Sequence, residues 1–280
     1  MKASLFFFLF ATFSGVFAQD WPPRNQVLYL SLGISDIYVQ KTTATNRLDF
    51  MNYMEGYEFF GDFFTFKLGF NFDYFSHMHA DISILMDYGL LNGFDASTYY
   101  FFNKSLGLGL GTGFSTSYIS GFGEYQQNLL PGYYLLNNYG FWEVYDWNFY
   151  ISPVLRMGDN ERISFVFRLD MGFSRFTKQK TEYYYKKKNS NEKLHYIYET
   201  LPGFQPFIRP EIQFRYRVFK INKFSAGLLV HTFYYYAHRR IDYRICIRRW
   251  TYNNCQAQIV HPPSHAYGRL DIDAGFYLKW

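Results

Sequence analysis

"SLGLGLGTGFSTSY", residues 105–118, alternates apolar and small residues. Leu106, Leu108, Leu110, Phe114 and Tyr118 fall on one set of alternate positions, and Gly107, Gly109, Gly111 and Gly113 on the other. A period of two is that of a β-strand with one apolar face. Glycine weakens a strand, because it packs nothing and loses much backbone freedom, so four on one face need a reason. A dinucleotide-binding loop is not that reason. Its G-x-G-x-x-G fingerprint opens a helix, yet the third glycine would fall on Thr112 or Phe114 and no helical pattern follows.

The same alternation recurs on both sides of this stretch. It predicts about ten strands, within a range of eight to twelve. They lie near 26–39, 58–74, 80–90, 97–103, 105–118, 147–157, 162–176, 206–219, 224–238 and 266–280. The second strand is the cleanest: Phe64, Phe66, Leu68, Phe70, Phe72 and Tyr74 share a face, with Thr65, Lys67, Gly69, Asn71 and Asp73 on the other. Residues 1–18 read as a cleaved secretory signal, with Lys2, an apolar run from Leu5 and V-F-A before Gln19. That leaves 19–280 as one domain. No later run reaches the roughly 18 apolar residues of a membrane helix. Aromatics nonetheless make up 24% of the chain, more than a water-soluble sheet can hide on both faces. A bilayer accepts them on the outside.

The connections sort by length. Residues 76–79, 103–104, 158–161 and 220–223 are tight; 40–57, 119–146, 177–205 and 239–265 are long and polar, and 91–96 is a shorter exception. Tight and long alternate. Strands of ten or more residues joined this way form an antiparallel transmembrane β-barrel with both termini at the short-turn end.

The signal segment, the unit "FKLGFNFDYFSHMHADISILMDYG" (66–89) and the final strand "YGRLDIDAGFYLKW" (267–280) resemble the small bacterial outer-membrane β-barrel proteins. The resemblance implies an address in the outer membrane of a Gram-negative bacterium. It also implies that Trp280, with Phe276 and Leu278 on its face, is the terminal signal read by the barrel-assembly machinery. It specifies architecture and leaves function open, since such barrels host many activities. A structural or surface-interaction role leads. A small channel or transporter, and then a barrel enzyme acting on lipid or peptide, are the alternatives.

With the apolar faces on lipid, the glycines face the lumen, where they make room for the long inward groups of the eighth strand. The same register sends Lys67, Arg168, Arg209, Arg215, Arg217 and Arg269 inward with Asp81, Asp87, Asp170, Glu211, Asp271 and Asp273. Buried charges must be paired, so a mixed-sign network across a narrow lumen points to a plug.

Two long connections are basic. One carries Lys186, Lys187 and Lys188; the other carries Arg244, Arg248, Arg249 and Trp250 around Cys246 and Cys255. They either offset lipopolysaccharide beside the barrel or form a platform for an extracellular anionic ligand. In an exported chain the two cysteines are expected to pair. The net charge of +5 is too mild to imply nucleic acid. No cofactor or metal is expected: His77 and His79 lack a third ligand nearby, and Ser264, His265 and Asp271 follow no nucleophile motif.

Overall fold

The computed structural model describes residues 26–41, 56–75, 77–87, 90–118, 132–140, 143–158, 162–178, 180–240, 242–249, 255–261 and 265–280. The expected signal segment 1–18 and its boundary lie outside them. Fifteen strands follow in chain order: β1 (Gln26–Lys41), β2 (Gly56–Phe75), β3 (Met78–Asp87), β4 (Leu90–Phe101), β5 (Leu106–Tyr118), β6 (Tyr133–Gly140), β7 (Glu143–Met157) and β8 (Ile163–Phe176), then β9 (Lys180–Lys187), β10 (Lys193–Thr200), β11 (Gly203–Ile221), β12 (Phe224–Arg239), β13 (Tyr243–Arg249), β14 (Gln256–Val260) and β15 (His265–Lys279).

Ten of them close an antiparallel barrel in the order β1-β15-β12-β11-β8-β7-β5-β4-β3-β2. The seam is made by the first and last strands, where Gln26 and Trp280 exchange backbone hydrogen bonds of 3.0 Å in each direction. Tight reversals join β2 to β3, β4 to β5, β7 to β8 and β11 to β12, all at the end that holds this seam. Local chemistry fixes two of them. The Asn103 carboxamide oxygen accepts from the backbone N–H groups of Ser105 (2.8 Å) and Leu106 (2.7 Å), an Asx turn. Asn222, with φ of 54°, takes the left-handed position between Ile221 and Phe224, which asparagine tolerates better than most residues.

Facing follows the alternation. Leu32, Phe64 and Phe276 are 67%, 73% and 67% exposed on the outside, while their neighbours Ser31 and Thr65 are buried. Among the described residues the outward positions are mostly apolar, the surface a bilayer requires of a barrel. Toward the short-turn end this surface becomes aromatic: Phe70 packs on Phe72 at 5.2 Å and on Trp280 at 6.2 Å, and Tyr100 on Phe102 at 5.6 Å. Such girdles sit at membrane interfaces.

Three expectations are corrected. The exceptional connection at 91–96 is not a connection: β4 starts at Leu90, and Phe94 pairs with both Ile84 and Phe114. The glycine face does look inward, but the space above Gly109 and Gly111 is filled by Tyr99 and Tyr150, their own ladder partners, rather than by the eighth strand's charges. A Cβ on either glycine would fall against the tyrosine ring. Tyr29 lies over its partner Gly69 in the same way.

The third correction is the largest. Stretches expected to be loops contain β6, β9, β10, β13 and β14, which form a second antiparallel sheet in the order β14-β13-β10-β9-β6. Each of these strands runs into a barrel strand through a linker of four residues or fewer: β14 into β15, β13 from β12, β10 into β11, β9 from β8 and β6 into β7. The barrel order of those five is β15-β12-β11-β8-β7. Half of the barrel wall therefore continues past the rim with its neighbours unchanged.

Candidate functional site

The barrel strands bring most of the expected inward charges together. Arg168 on β8 is the hub. Its Nη2 lies 2.5 Å from Glu211 Oε2, its ladder partner on β11, and its Nη1 donates to the Tyr99 hydroxyl at 2.8 Å on the far wall. Asp170, Asp95 and Asp81 stand 3.2, 3.6 and 3.8 Å from the same guanidinium. Arg209 bridges Asp95 and Asp170 at 2.6 Å each, and those acids accept from Tyr150 (2.6 Å) and Ser152 (2.5 Å).

A second chain of contacts joins the opposite walls. Lys67 on β2 lies 3.1 Å from His231 Nε2 on β12; His231 in turn meets Glu211 at 3.0 Å and Asp273 at 2.7 Å. Arg269 binds Asp271 at 2.9 Å, and Arg215 donates to Asn71 at 2.6 Å. Asp170 and His231 are fully buried. Arg217 stands apart from the hub toward the short-turn end, opposite Gly227. Asp87 closes β3 opposite Thr65 and Leu90, and its side chain lies outside the described residues.

The outer sheet has two unlike faces, because ladder partners share a face. One is aromatic and apolar: Tyr183, Tyr185, Leu194, Tyr196 and Ile245 are buried, and Tyr185 meets Tyr196 edge-on at 5.5 Å. Burial pushes the Tyr185 hydroxyl well up from its ordinary range. The other face is charged. Near the rim, Glu199 pairs with Lys180 on one side and Arg244 on the other; in the next row Glu182 faces Ile197. Farther out, Tyr184, His195 and Arg248 share a row, and Lys186 faces Lys193 at the tip.

Glu182 ties this face together. Tyr184 donates to it at 2.8 Å, His195 lies at 2.8 Å, and Lys180 closes an ion pair. Partial burial pushes its carboxyl up, but the hydrogen bonds from Lys180, Tyr184 and His195 prevail and hold it at about 2. The His195 ring stacks on Tyr184 at 4.2 Å.

The basic loop patch is thus a set of strand residues on two faces. Lys186, Arg244 and Arg248 share the charged face. Lys187 opposes Tyr133 on the other face and pairs with Glu192 at 3.3 Å; Lys188 stands in the β9–β10 turn. Arg249 pairs with Leu194 through the backbone, its side chain and Trp250 lying outside the described residues. Cys246, in mid-β13, is disulfide-bonded to Cys255, which leads into β14. Phe276, Leu278 and Trp280 point outward on the last strand. His265 and Asp271 lie six residues apart along β15, roughly 20 Å, and Asp271 pairs with Arg269; Ser264 lies outside the described residues.

The likeness is to outer-membrane barrels. The chain is similar to the outer membrane protease OmpT of Escherichia coli at 8% identity, with a TM-score of 0.36, covering 94% of this chain and 99% of that one. It is similar to a major outer membrane protein of Thermus thermophilus at 10% identity, with a TM-score of 0.37, covering 90% and 99%. It is similar to Ail, the attachment invasion locus protein of Yersinia pestis, at 12% identity, with a TM-score of 0.32, covering 91% and 99%. No family model and no curated protein matches. At scores of this size the functional reading rests on this chain's own residues.

Sequence reasoning missed Asp95, Tyr99, Tyr150 and His231 in the lumen. His231 sits within "LLVHTFYYY", where the apolar alternation of the other face holds attention. A lone histidine on the inward face of a strand was the available signal.

Proposed function

We propose that this chain is an exported integral protein of the Gram-negative outer membrane, with a closed lumen, that acts through its outer sheet on anionic partners. The observation that carries this reading is the continuation of five barrel strands into a sheet stapled by Cys246–Cys255. A sheet with the barrel's own strand order is a rigid mount and not a loop. Its charged face sets Lys180, Lys186, Lys193, Arg244 and Arg248 against Glu182 and Glu199.

The surplus is uneven. Both acids lie in the rim-side rows, while the outer rows hold Lys186, Lys193 and Arg248. Eight strand residues place that tip about 25 Å along β9 from its linker. Cations so grouped can hold a phosphate, sulfate or carboxylate through charge-assisted bonds. The position favours an anionic partner outside the cell over the lipopolysaccharide phosphates at the rim. The cross-lumen ion-pair network supports the closed lumen. The oxidised cysteine pair and the apolar belt support the address.

The test is binding of dextran sulfate and of neutral dextran to the protein in nanodiscs. Salt-sensitive binding of the sulfated polymer is expected, with loss on combining Lys186→Glu, Lys193→Glu and Arg248→Glu. Equal binding by a correctly folded triple variant would overturn the reading.

A further inference from the structure

Two cavities lie inside the barrel, one above the other, and they share a wall. The upper one, about 60 Å³, is lined by Lys67, Asp95, Arg209, Phe233 and Arg269; the lower one, about 40 Å³, by Asn71, Asp81, Tyr99, Arg156 and Arg215. Strand direction fixes their levels. β11 runs from the long-connection end at Gly203 to the short-turn end at Ile221. Arg209 in the upper set therefore precedes Glu211, and Gln213 and Arg215 in the lower set follow it. β4 runs the same way, with Asp95 in the upper set and Tyr99 in the lower. The residues common to both cavities are Arg168 and Glu211. Those two side chains form the 2.5 Å ion pair at the network's hub. Each cavity has room for a few waters, since a water needs roughly 10–15 Å³ of such volume.

We infer that the Arg168–Glu211 pair is the septum of a latent ion path, and that separating its side chains joins the two cavities into one conduit for small anions. Between the two cavities stand the two side chains that both walls share, with water-sized space above them and below. Anion preference comes from the upper cavity, whose wall carries Lys67, Arg168, Arg209 and Arg269 against Asp95 and Glu211. Three of these cations, Lys67, Arg209 and Arg269, each stand 5.9 Å from the Phe233 ring centroid, which gathers positive charge around the entrance to the septum. Rings of charge of one sign select ions of the other.

The inference takes the closed lumen of the resting protein as its starting state, and one experiment separates the two. The full mature barrel is placed in chloride-loaded liposomes and in planar bilayers, as wild type and as Arg168→Ala/Glu211→Ala. That double change removes both side chains and keeps the net charge; Asp95 and Asp170 retain Arg209, and His231 retains Asp273, while Asp81 loses its contact with Arg168. Heat-modifiable migration on gels reports folding. Wild type is expected to be silent. The double variant is expected to release chloride roughly tenfold or more faster, in discrete steps that favour chloride over potassium. Leu108→Phe, on the lipid side, is expected to stay silent. A folded double variant as tight as wild type overturns the septum. A wild type that already conducts as well as the variant overturns the closed lumen itself. Should the double variant not fold, Glu211→Gln keeps the volume while weakening the pair. Brief openings are then expected, and a folded, silent Glu211→Gln overturns the inference.

Discussion

The ring of Tyr99 lies over Gly109, its partner across the β4–β5 ladder, and from there its hydroxyl accepts a hydrogen bond from Arg168 at 2.8 Å. The glycine is empty so that the tyrosine can lie flat and reach the hub. Gly109→Leu is therefore expected to destabilise the barrel by roughly 1–3 kcal/mol, the usual cost of overfilling a packed interior. Gly111→Phe should do the same beneath Tyr150, while Leu108→Phe, facing lipid, should change little. Urea unfolding in bilayers gives the order, and a reversed order would mean that every facing assignment is displaced by one residue.

Asp170 is fully buried and receives Arg209, Ser152 and the flank of Arg168. Asp170→Ala leaves two guanidinium groups short of a partner, and breaking a buried pair from one side costs roughly 3–5 kcal/mol. A loss under 1 kcal/mol in the same assay would show that Asp95 and Glu211 suffice to hold both arginines.

The disulfide closes a separation of nine residues, which in the chain-entropy model is worth roughly 2–3 kcal/mol. The effect should be local. Cys246→Ser/Cys255→Ser is expected to speed proteolysis within β13–β14 while the barrel keeps its heat-modifiable migration. Intact mass before and after reduction, read with alkylation, tests the bond itself: both thiols alkylated without reductant would mean that it is absent.

Glu182 gives the outer sheet an acid limit. Its carboxyl sits at about 2 in the folded protein against an ordinary 4.5. A folded value below the unfolded one contributes stability that is complete above about pH 4.5 and is lost as the pH falls toward 2. Hydrogen exchange in β9 and β10 is expected to quicken across that window, and Glu182→Gln to flatten the dependence. An unchanged profile in the variant would assign the acid limit to another group.

Trp280 exchanges backbone bonds with Gln26 at the barrel seam and packs on Phe70. Trp280→Ala, or a tag added after it, is expected to lower the amount of heat-modifiable barrel recovered from membranes. Undiminished recovery of both variants would remove any role in assembly.

The barrel itself was legible because lipid outside and charge inside impose a strict period of two, as in 64–74 and 208–217. The outer sheet was not, because its strands are short and its apolar face mixes tyrosines with a few aliphatics such as Leu194 and Ile245. "KTEYYYKK" places three tyrosines in succession between Glu182 and Lys186, which hides the alternation of buried Tyr183 and Tyr185 with Tyr184 on the charged face. Asp95 was lost for a different reason. It lies in the stretch 91–96 read as a connection, whereas β4 already starts at Leu90. The tyrosine partners of Gly109 and Gly111 lie on neighbouring strands whose register no single strand reveals.

The shared strand order of sheet and barrel has a mechanical consequence. A partner that grips the tip between β9 and β10 pulls on β8 and β11 along their own axes, through linkers of two or three residues. The β7–β8 and β11–β12 ladders, which join this pair to the rest of the wall, are then loaded in shear, and their hydrogen bonds resist together rather than opening one by one from an end. The tip is a tether anchored along the full height of the barrel wall.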